Sequence, residues 1–116
     1  MLRILICDDF DDARDMLAEM LALKGHHVEI AVDGAGALQR IAGGDLDVAM
    51  IDIGLPDMSG YDVARAIRVQ GVPIRLIALT GYASGTDHEH AKAAGFDVWF
   101  AKPVKIDVLL AALRPI

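Results

Sequence analysis

Cysteine is almost missing from this chain of 116 residues: Cys7 stands alone. No internal disulfide can form, which fits a reducing compartment. Long apolar runs are missing as well. Val108 to Leu113 is among the longest, whereas a bilayer span needs about 20 residues. Met1-Leu2-Arg3 lead into only four apolar residues before Asp8, too few for the apolar stretch of a secretory signal. Basic charge is in deficit, with 11 Lys and Arg against 17 acids and a net charge of −6. A pI near 4.9 argues against non-specific binding to nucleic acid or to an anionic membrane. There is no GxxxxGK(S/T) loop, no paired CxxC and no plausible Ser/His/Asp set, which removes P-loop nucleotide binding, a structural zinc site and triad hydrolysis. A hydrophobic content of 54% excludes a disordered chain, and the length suits one domain with a real core. The expectation is one soluble, cytoplasmic domain over residues 1–116, with no nucleic-acid or membrane partner and no second domain after Leu113.

Glutamate is scarce too. Only Glu19, Glu29 and Glu89 stand beside 14 aspartates. Asp is a weak helix former but a good helix cap and a short, rigid ligand. The excess therefore points to strand ends, caps and cation sites, and away from a helical bundle with Glu/Lys surfaces.

What is present is alternation. Apolar runs recur at Ile4–Cys7, Val28–Val32, Val48–Ile51, Leu76–Leu79 and Val98–Ala101, and most are short and nearly continuous, the pattern of strands buried on both faces of a parallel sheet. Segments of helical period separate them. Met16, Leu17, Met20 and Leu21 form one stripe, stopped by Gly25, with Asp11 or Asp12 as its cap. Ala37, Leu38 and Ile41 form a second, opened by Asp33. Val63, Ala66 and Ile67 form a third, with Ser59 as N-cap. Thr86-Asp87-His88-Glu89 is a capping box for a fourth helix ending at Gly95. Leu109, Leu110 and Leu113 make the fifth, stopped by Pro115. Five strands and five helices in strict alternation imply right-handed crossovers and a three-layer α/β sandwich. Periodicity does not order the strands.

In open α/β sheets ligands bind beyond the carboxyl ends of the strands. Those ends carry Asp8-Asp9 after strand one, Asp52 after strand three, Thr80 after strand four and Lys102-Pro103 after strand five. Three carboxylates within a few ångströms repel, and a hard divalent cation removes the repulsion. Mg2+ suits the group, because it takes one or two carboxylates and fills its shell with water and phosphate oxygens. Lys102 can pair with a bound anion, and Thr80 adds a donor. One free carboxylate among a metal, an ammonium and a hydroxyl can handle a phosphoryl group.

The pattern Asp8-Asp9, DIGLPDMSGYDVARAIR from Asp52, ALTG ending at Gly81, and GFDVWFAKPV resembles a bacterial response-regulator receiver domain from Arg3 to Leu113. The separations fit: 43 residues from Asp9 to Asp52, 28 to Thr80 and 22 to Lys102. DIGLP and GFDVWFAKPV look most like receivers of hybrid histidine kinases. The resemblance implies a flavodoxin-like (βα)5 fold with a five-stranded parallel sheet in the order 2-1-3-4-5. It implies that Asp52 is the phosphoacceptor for a histidine kinase or histidine phosphotransfer protein. Asp9, Asp52 and the backbone carbonyl of Gly54 would hold Mg2+, with Asp8 acting through a water. Lys102 would pair with the phosphoryl group, and its bond to Pro103 would be cis. Thr80 would swing inward and Trp99 would follow. A downstream protein would read the face of helix 4, strand 5 and helix 5, which here presents His88, His90, Lys92, Trp99 and Lys105.

Some positions depart from the family pattern. Trp99 stands where receivers usually carry Tyr, Phe or His, and it packs on the last helix, switches, or does both. Gly54 and Tyr82 occupy positions that tune acyl-phosphate lifetime. Lys105 stands where Asp or Ser would cap the last helix. Cys7 has the setting of a buried, inert thiol, and Met16, Met20 and Met50 have that of core residues. His88 and His90 diverge on their helix, and His26-His27 lies at a turn, so none of the four is expected to ligate metal. Two other functions compete with a phosphorylated switch. A Mg2+-dependent phosphatase with an Asp nucleophile would want a second Asp where Gly54 stands. A phosphate-independent interaction module would not need Asp8, Asp9, Asp52, Thr80 and Lys102 together. The domain is therefore expected not to be an enzyme.

Overall fold

The computed structural model describes residues 1–81, 85–102 and 104–113, apart from the side chains of 85–88. Ten elements alternate: β1 (Arg3–Cys7), α1 (Asp11–Leu23), β2 (His27–Ala31), α2 (Gly34–Ala42), β3 (Val48–Asp52), α3 (Gly60–Val69), β4 (Arg75–Thr80), α4 (Gly85–Ala94), β5 (Val98–Ala101) and α5 (Ile106–Leu113). The strands form one parallel sheet in the order β2-β1-β3-β4-β5, the flavodoxin-like arrangement expected. Alternate residues along the strands divide between two cores. Leu5, Cys7, Ala49, Ile51, Leu76 and Ala78 meet α2, α3 and α4. Ile4, Ile6, Val48, Met50, Ile77 and Leu79 meet α1 and α5. Among the described residues no helix is long and apolar enough to cross a membrane.

Two helix starts follow the side-chain chemistry of their caps, and a third does not. The Asp33 carboxylate accepts from the Gly36 N–H at 2.7 Å, and the Ser59 hydroxyl accepts from the Tyr61 N–H at 3.1 Å. Both caps were expected. At α1 the N-cap is Phe10, with no capping side chain. Asp11 and Asp12 lie inside the first turn, where their charge suits the helix dipole. Asp8 takes the Phe10 N–H instead, at 3.0 Å. Helix α4 begins one residue before Thr86. The side chains of Thr86, Asp87 and His88 in the proposed capping box, and Pro115, lie outside the described residues.

Two further expectations need correction. Met16 is 63% exposed, because the inward stripe of α1 runs through Arg14, Leu17, Ala18 and Leu21 and leaves Met16 to one side. Trp99 packs against the core on the α4 side, not on α5. Strand alternation sends Val98 and Phe100 toward α5 and turns Trp99 the other way.

Two devices shape the loop between β3 and α3. A Cβ on Gly60 would lie 2.4 Å from the Asp52 carbonyl oxygen and 2.8 Å from the Ile53 Cα, so only glycine fits this return. The Asp57 carboxylate then straps the loop to α2, accepting from the N–H groups of Gly34 at 2.8 Å and Ala35 at 3.0 Å. At the opposite end of the sheet Arg68 donates to the carbonyls of Gly95, Val72 and Ile74 and to the Asp97 carboxylate. Gly60→Ala is expected to destabilise the domain by about 1–3 kcal/mol through overpacking against backbone. A denaturant melt checks this, and an unchanged midpoint would show that the loop has room to shift.

Candidate functional site

Sheet order and register build the site. β1 and β3 are neighbours, and Cys7 pairs in register with Ile51, so Asp8 and Asp52 come side by side at adjacent strand ends. β4 brings Thr80, and β5 brings Lys102, whose N–H donates to the Thr80 carbonyl at 2.7 Å. Carboxylate oxygens of Asp8, Asp9 and Asp52 lie within 4.8 Å of one another. Asp8, Asp52 and Thr80 are buried, while Asp9 is exposed. The five expected strand-end residues therefore share one edge of the sheet.

Lys102 supplies the counter-charge. Its Nζ lies 2.7 Å from Asp8 Oδ2 and 3.2 Å from Asp52 Oδ2. Burial works against the ammonium, but the bonds to Asp8 and Asp52 outweigh it and hold the Lys102 pKa above its ordinary value. Burial pushes the Asp52 carboxyl up, with help from the Asp8 charge. Lys102 and the Gly54 N–H, which donates to Asp52 Oδ1 at 3.2 Å, offset only part of that rise. Asp52 is thus a carboxylate short of positive charge.

The donor set fits a hard divalent cation: three carboxylates converge, one is exposed, and the single ammonium in contact leaves a negative excess. Asp9 and Asp52 can ligate directly, and Gly54, whose N–H meets Asp52 Oδ1, is exposed. Among the described residues no histidine joins such a group. His26 Nδ1 accepts from the Leu2 N–H at 3.1 Å, and His90 meets the ring of Tyr61 edge-on. Cys7 is fully buried, its thiol donates to the Asp33 carbonyl at 3.3 Å, and burial with nearby carboxylates pushes its pKa up to about 12, the inert thiol expected.

Thr80 and Trp99 share the α4-side face on neighbouring strands, since Ala78 is the register partner of Trp99. On the surface of α4 and α5, His90, Lys92 and Lys105 are exposed. Tyr82, Pro103 with its expected cis bond, and the His88 side chain lie outside the described residues. Sequence reasoning missed Arg14 and Asp57. Arg14 was detectable, because it falls on the buried stripe with Leu17 and Leu21. Asp57 bonds Gly34 and Ala35 across the fold and left no local signal.

Comparison with known proteins gives concordant matches. The family model described as response regulator receiver domain matches residues 4–114. The transcriptional regulatory protein TcrA of Mycobacterium tuberculosis is 34% identical over 97% of this chain and 44% of its own length. The response regulator MprA of Mycobacterium avium is 34% identical over 97% of this chain and 50% of its own. The chain thus spans about half the length of these curated relatives. Among solved structures, a CheY-like receiver domain protein from Methanospirillum hungatei superposes with a TM-score of 0.92 at 32% identity, covering 99% of this chain and 92% of that one. The response regulator TrrA of Thermotoga maritima, in complex with Mg2+ and BeF, gives 0.88 at 30% identity, covering 99% and 98%.

Because the folded-state pKa of Asp52 is raised, its ionisation opposes folding. That penalty is absent below the unfolded carboxylate pKa and complete once pH exceeds the folded one. Asp52→Asn is expected to melt at a higher temperature than wild type at pH 7, with the gap closing as pH falls through the carboxylate range. Lys102 keeps Asp8 as its partner in this variant. Melts between pH 4 and 8 check it, and a variant less stable at neutral pH would refute the charge balance.

Proposed function

The chain belongs to the response regulator receiver domain family, and from that premise we propose that it is a phosphorylation-controlled switch in which Asp52 accepts a phosphoryl group from a phosphohistidine. The carrying observation is the buried Asp52 carboxylate, beside Asp8 and Asp9 and in contact with Lys102. Mg2+ is the cofactor this donor set suits, as in the TrrA complex. Asp9, Asp52 and the Gly54 carbonyl would hold it, with Asp8 acting through a water. When bound, the ion neutralises charge on the carboxylates and on the phosphoryl oxygens, so that one anion can approach another.

An Asp52 carboxylate oxygen attacks phosphorus while the P–N bond to imidazole breaks, its electron pair leaving on the ring nitrogen. The product is an acyl phosphate. Lys102 turns from Asp8 and Asp52 to a phosphoryl oxygen, and its planted positive charge stabilises the added anion. The Thr80 hydroxyl donates to a second oxygen. Its motion changes the space beside Trp99, and the face formed by α4, β5 and α5 carries the change to a downstream protein. The domain is read as a phosphoryl acceptor and switch in the cytoplasm, not as an enzyme with a separate substrate. DNA binding is assigned to no residue of this chain.

A protein donor, a histidine kinase or phosphotransfer protein, is favoured by the surface beside the site. A groove of about 410 Å3 includes Phe10, Met16, Met20, Lys102, Val104 and Ile106. Phe10 and Met16 are each 63% exposed there. Exposed apolar side chains around a reactive centre suit a docking protein.

Acid-quenched intact mass after incubation with acetyl phosphate tests the chemistry. A gain of one phosphoryl group that requires both Mg2+ and Asp52 is expected. No gain, together with no beryllofluoride response in Trp99 emission, would leave a phosphate-independent interaction module. The donor surface has its own test. Met16→Lys is expected to slow transfer from a phosphohistidine protein about tenfold relative to transfer from acetyl phosphate. Equal slowing of both rates would remove the groove from the docking surface.

A further inference from the structure

Among the described residues the buried polar or charged side chains are Asp8, Asp52, Thr80 and Arg14. The first three belong to the site. Arg14 lies in the first turns of α1, is only 6% exposed, and turns its guanidinium back toward the loop after β1. Nη1 donates to the backbone carbonyl of Asp8 at 3.2 Å and lies 2.8 Å from Asp11 Oδ1, while Nε donates to Asp15 Oδ1 at 3.0 Å. Two exposed carboxylates therefore grip a buried cation whose inner contact is a main-chain oxygen of the site.

That oxygen completes the restraint of Asp8. Its N–H donates to the Ala31 carbonyl at 3.1 Å, Oδ1 accepts from the Phe10 N–H at 3.0 Å, and Oδ2 accepts from Lys102 at 2.7 Å. The peptide unit is planar, so pinning the Asp8 carbonyl also sets the direction of the Asp9 N–H and Cα. Asp9 is the exposed member of the carboxylate group. With solvent around its side chain, its aim depends on the backbone that carries it.

We infer that Arg14 is a positioning residue for the cation site, holding the Asp8–Asp9 peptide so that the Asp9 carboxylate converges with that of Asp52, with Asp11 and Asp15 fixing the guanidinium. The inference rests on the Mg2+-dependent reading above. Charge alone gives it the opposite sign. A guanidinium near a cation site repels the ion, so removing it would tighten Mg2+ binding if Coulomb interaction were its whole effect. Loss of positioning loosens binding instead, and outer groups that orient metal ligands are commonly worth 10–100-fold in affinity.

The test is a Mg2+ titration of the full chain followed by backbone amide chemical shifts, well below the melting temperature of each variant. Arg14→Met is expected to weaken Mg2+ binding about tenfold or more. Arg14→Lys keeps the charge, loses the planar fork, and is expected to weaken it by a smaller factor. Unchanged or tighter binding in a folded variant overturns the inference. If Arg14→Met gives no cooperative melt, Arg14→Lys decides by the same criterion. A wild-type chain that shows no Mg2+ response would refute the Mg2+-dependent reading itself and this inference with it, whereas a responsive wild type beside an equally responsive variant overturns the inference alone.

Discussion

Mutual repulsion among Asp8, Asp9 and Asp52, whose carboxylate oxygens lie within 4.8 Å of one another, is the constraint on which the rest of the structure depends. Left alone in a half-buried cleft, such a group would protonate or spread apart. It holds because Lys102 enters from the far side of the sheet and touches both buried carboxylates. Strands in a sheet are about 4.8 Å apart, and β4 lies between β3 and β5. A long, flexible stem with a compact charge is what can cross that gap. One ammonium against three carboxylates leaves a deficit of positive charge, and this deficit suits the site to a cation.

A charge cluster of this kind needs a frame that does not yield. The strand ends are locked into the ladder, with Asp8 bonded to Ala31, Ile53 to Leu79 and Lys102 to Thr80. Gly60 lets the chain double back against Asp52, and Asp57 ties that return to the start of α2. Arg14 does the same for the loop after β1. The opposite end is stapled by Arg68, which gathers three carbonyls from the loops before β4 and β5. The domain is thus polarised: unfavourable electrostatics gather at the carboxyl ends of the strands, and the apolar cores on both faces of the sheet supply the stability that tolerates them.

Legibility from sequence followed the range of the interaction. Buried strands announced themselves by continuous apolar runs, and caps such as Asp33 and Ser59 by chemistry acting over three residues. Met16 was misplaced because its stripe was centred on the apolar residues alone, whereas the face of α1 turned to the sheet includes Arg14 and Ala18. Trp99 was turned to the wrong helix because alternation on a strand of four residues cannot be given a direction without its neighbours. The α1 cap was misassigned because the helix starts at Asp11 behind Phe10, whose N–H goes to Asp8, so that Asp11 and Asp12 fall inside the first turn. The site residues themselves were legible, since each ends a strand and their separations resemble one family's pattern.

By itself, then, the sequence determined the alternation of five strands and five helices, the identity of the residues at the strand ends, and the chemical class of ligand those residues suit. These follow from periodicity, capping and the charges of side chains, all readable within a few positions. Only the tertiary structure decided that Lys102 bonds Asp8 more closely than Asp52, that Asp57 holds α2, and that Arg14 is buried behind the site. Each of these joins residues far apart in the chain or turns on the direction of one side chain, and strand order and packing select among arrangements that local patterns leave equal.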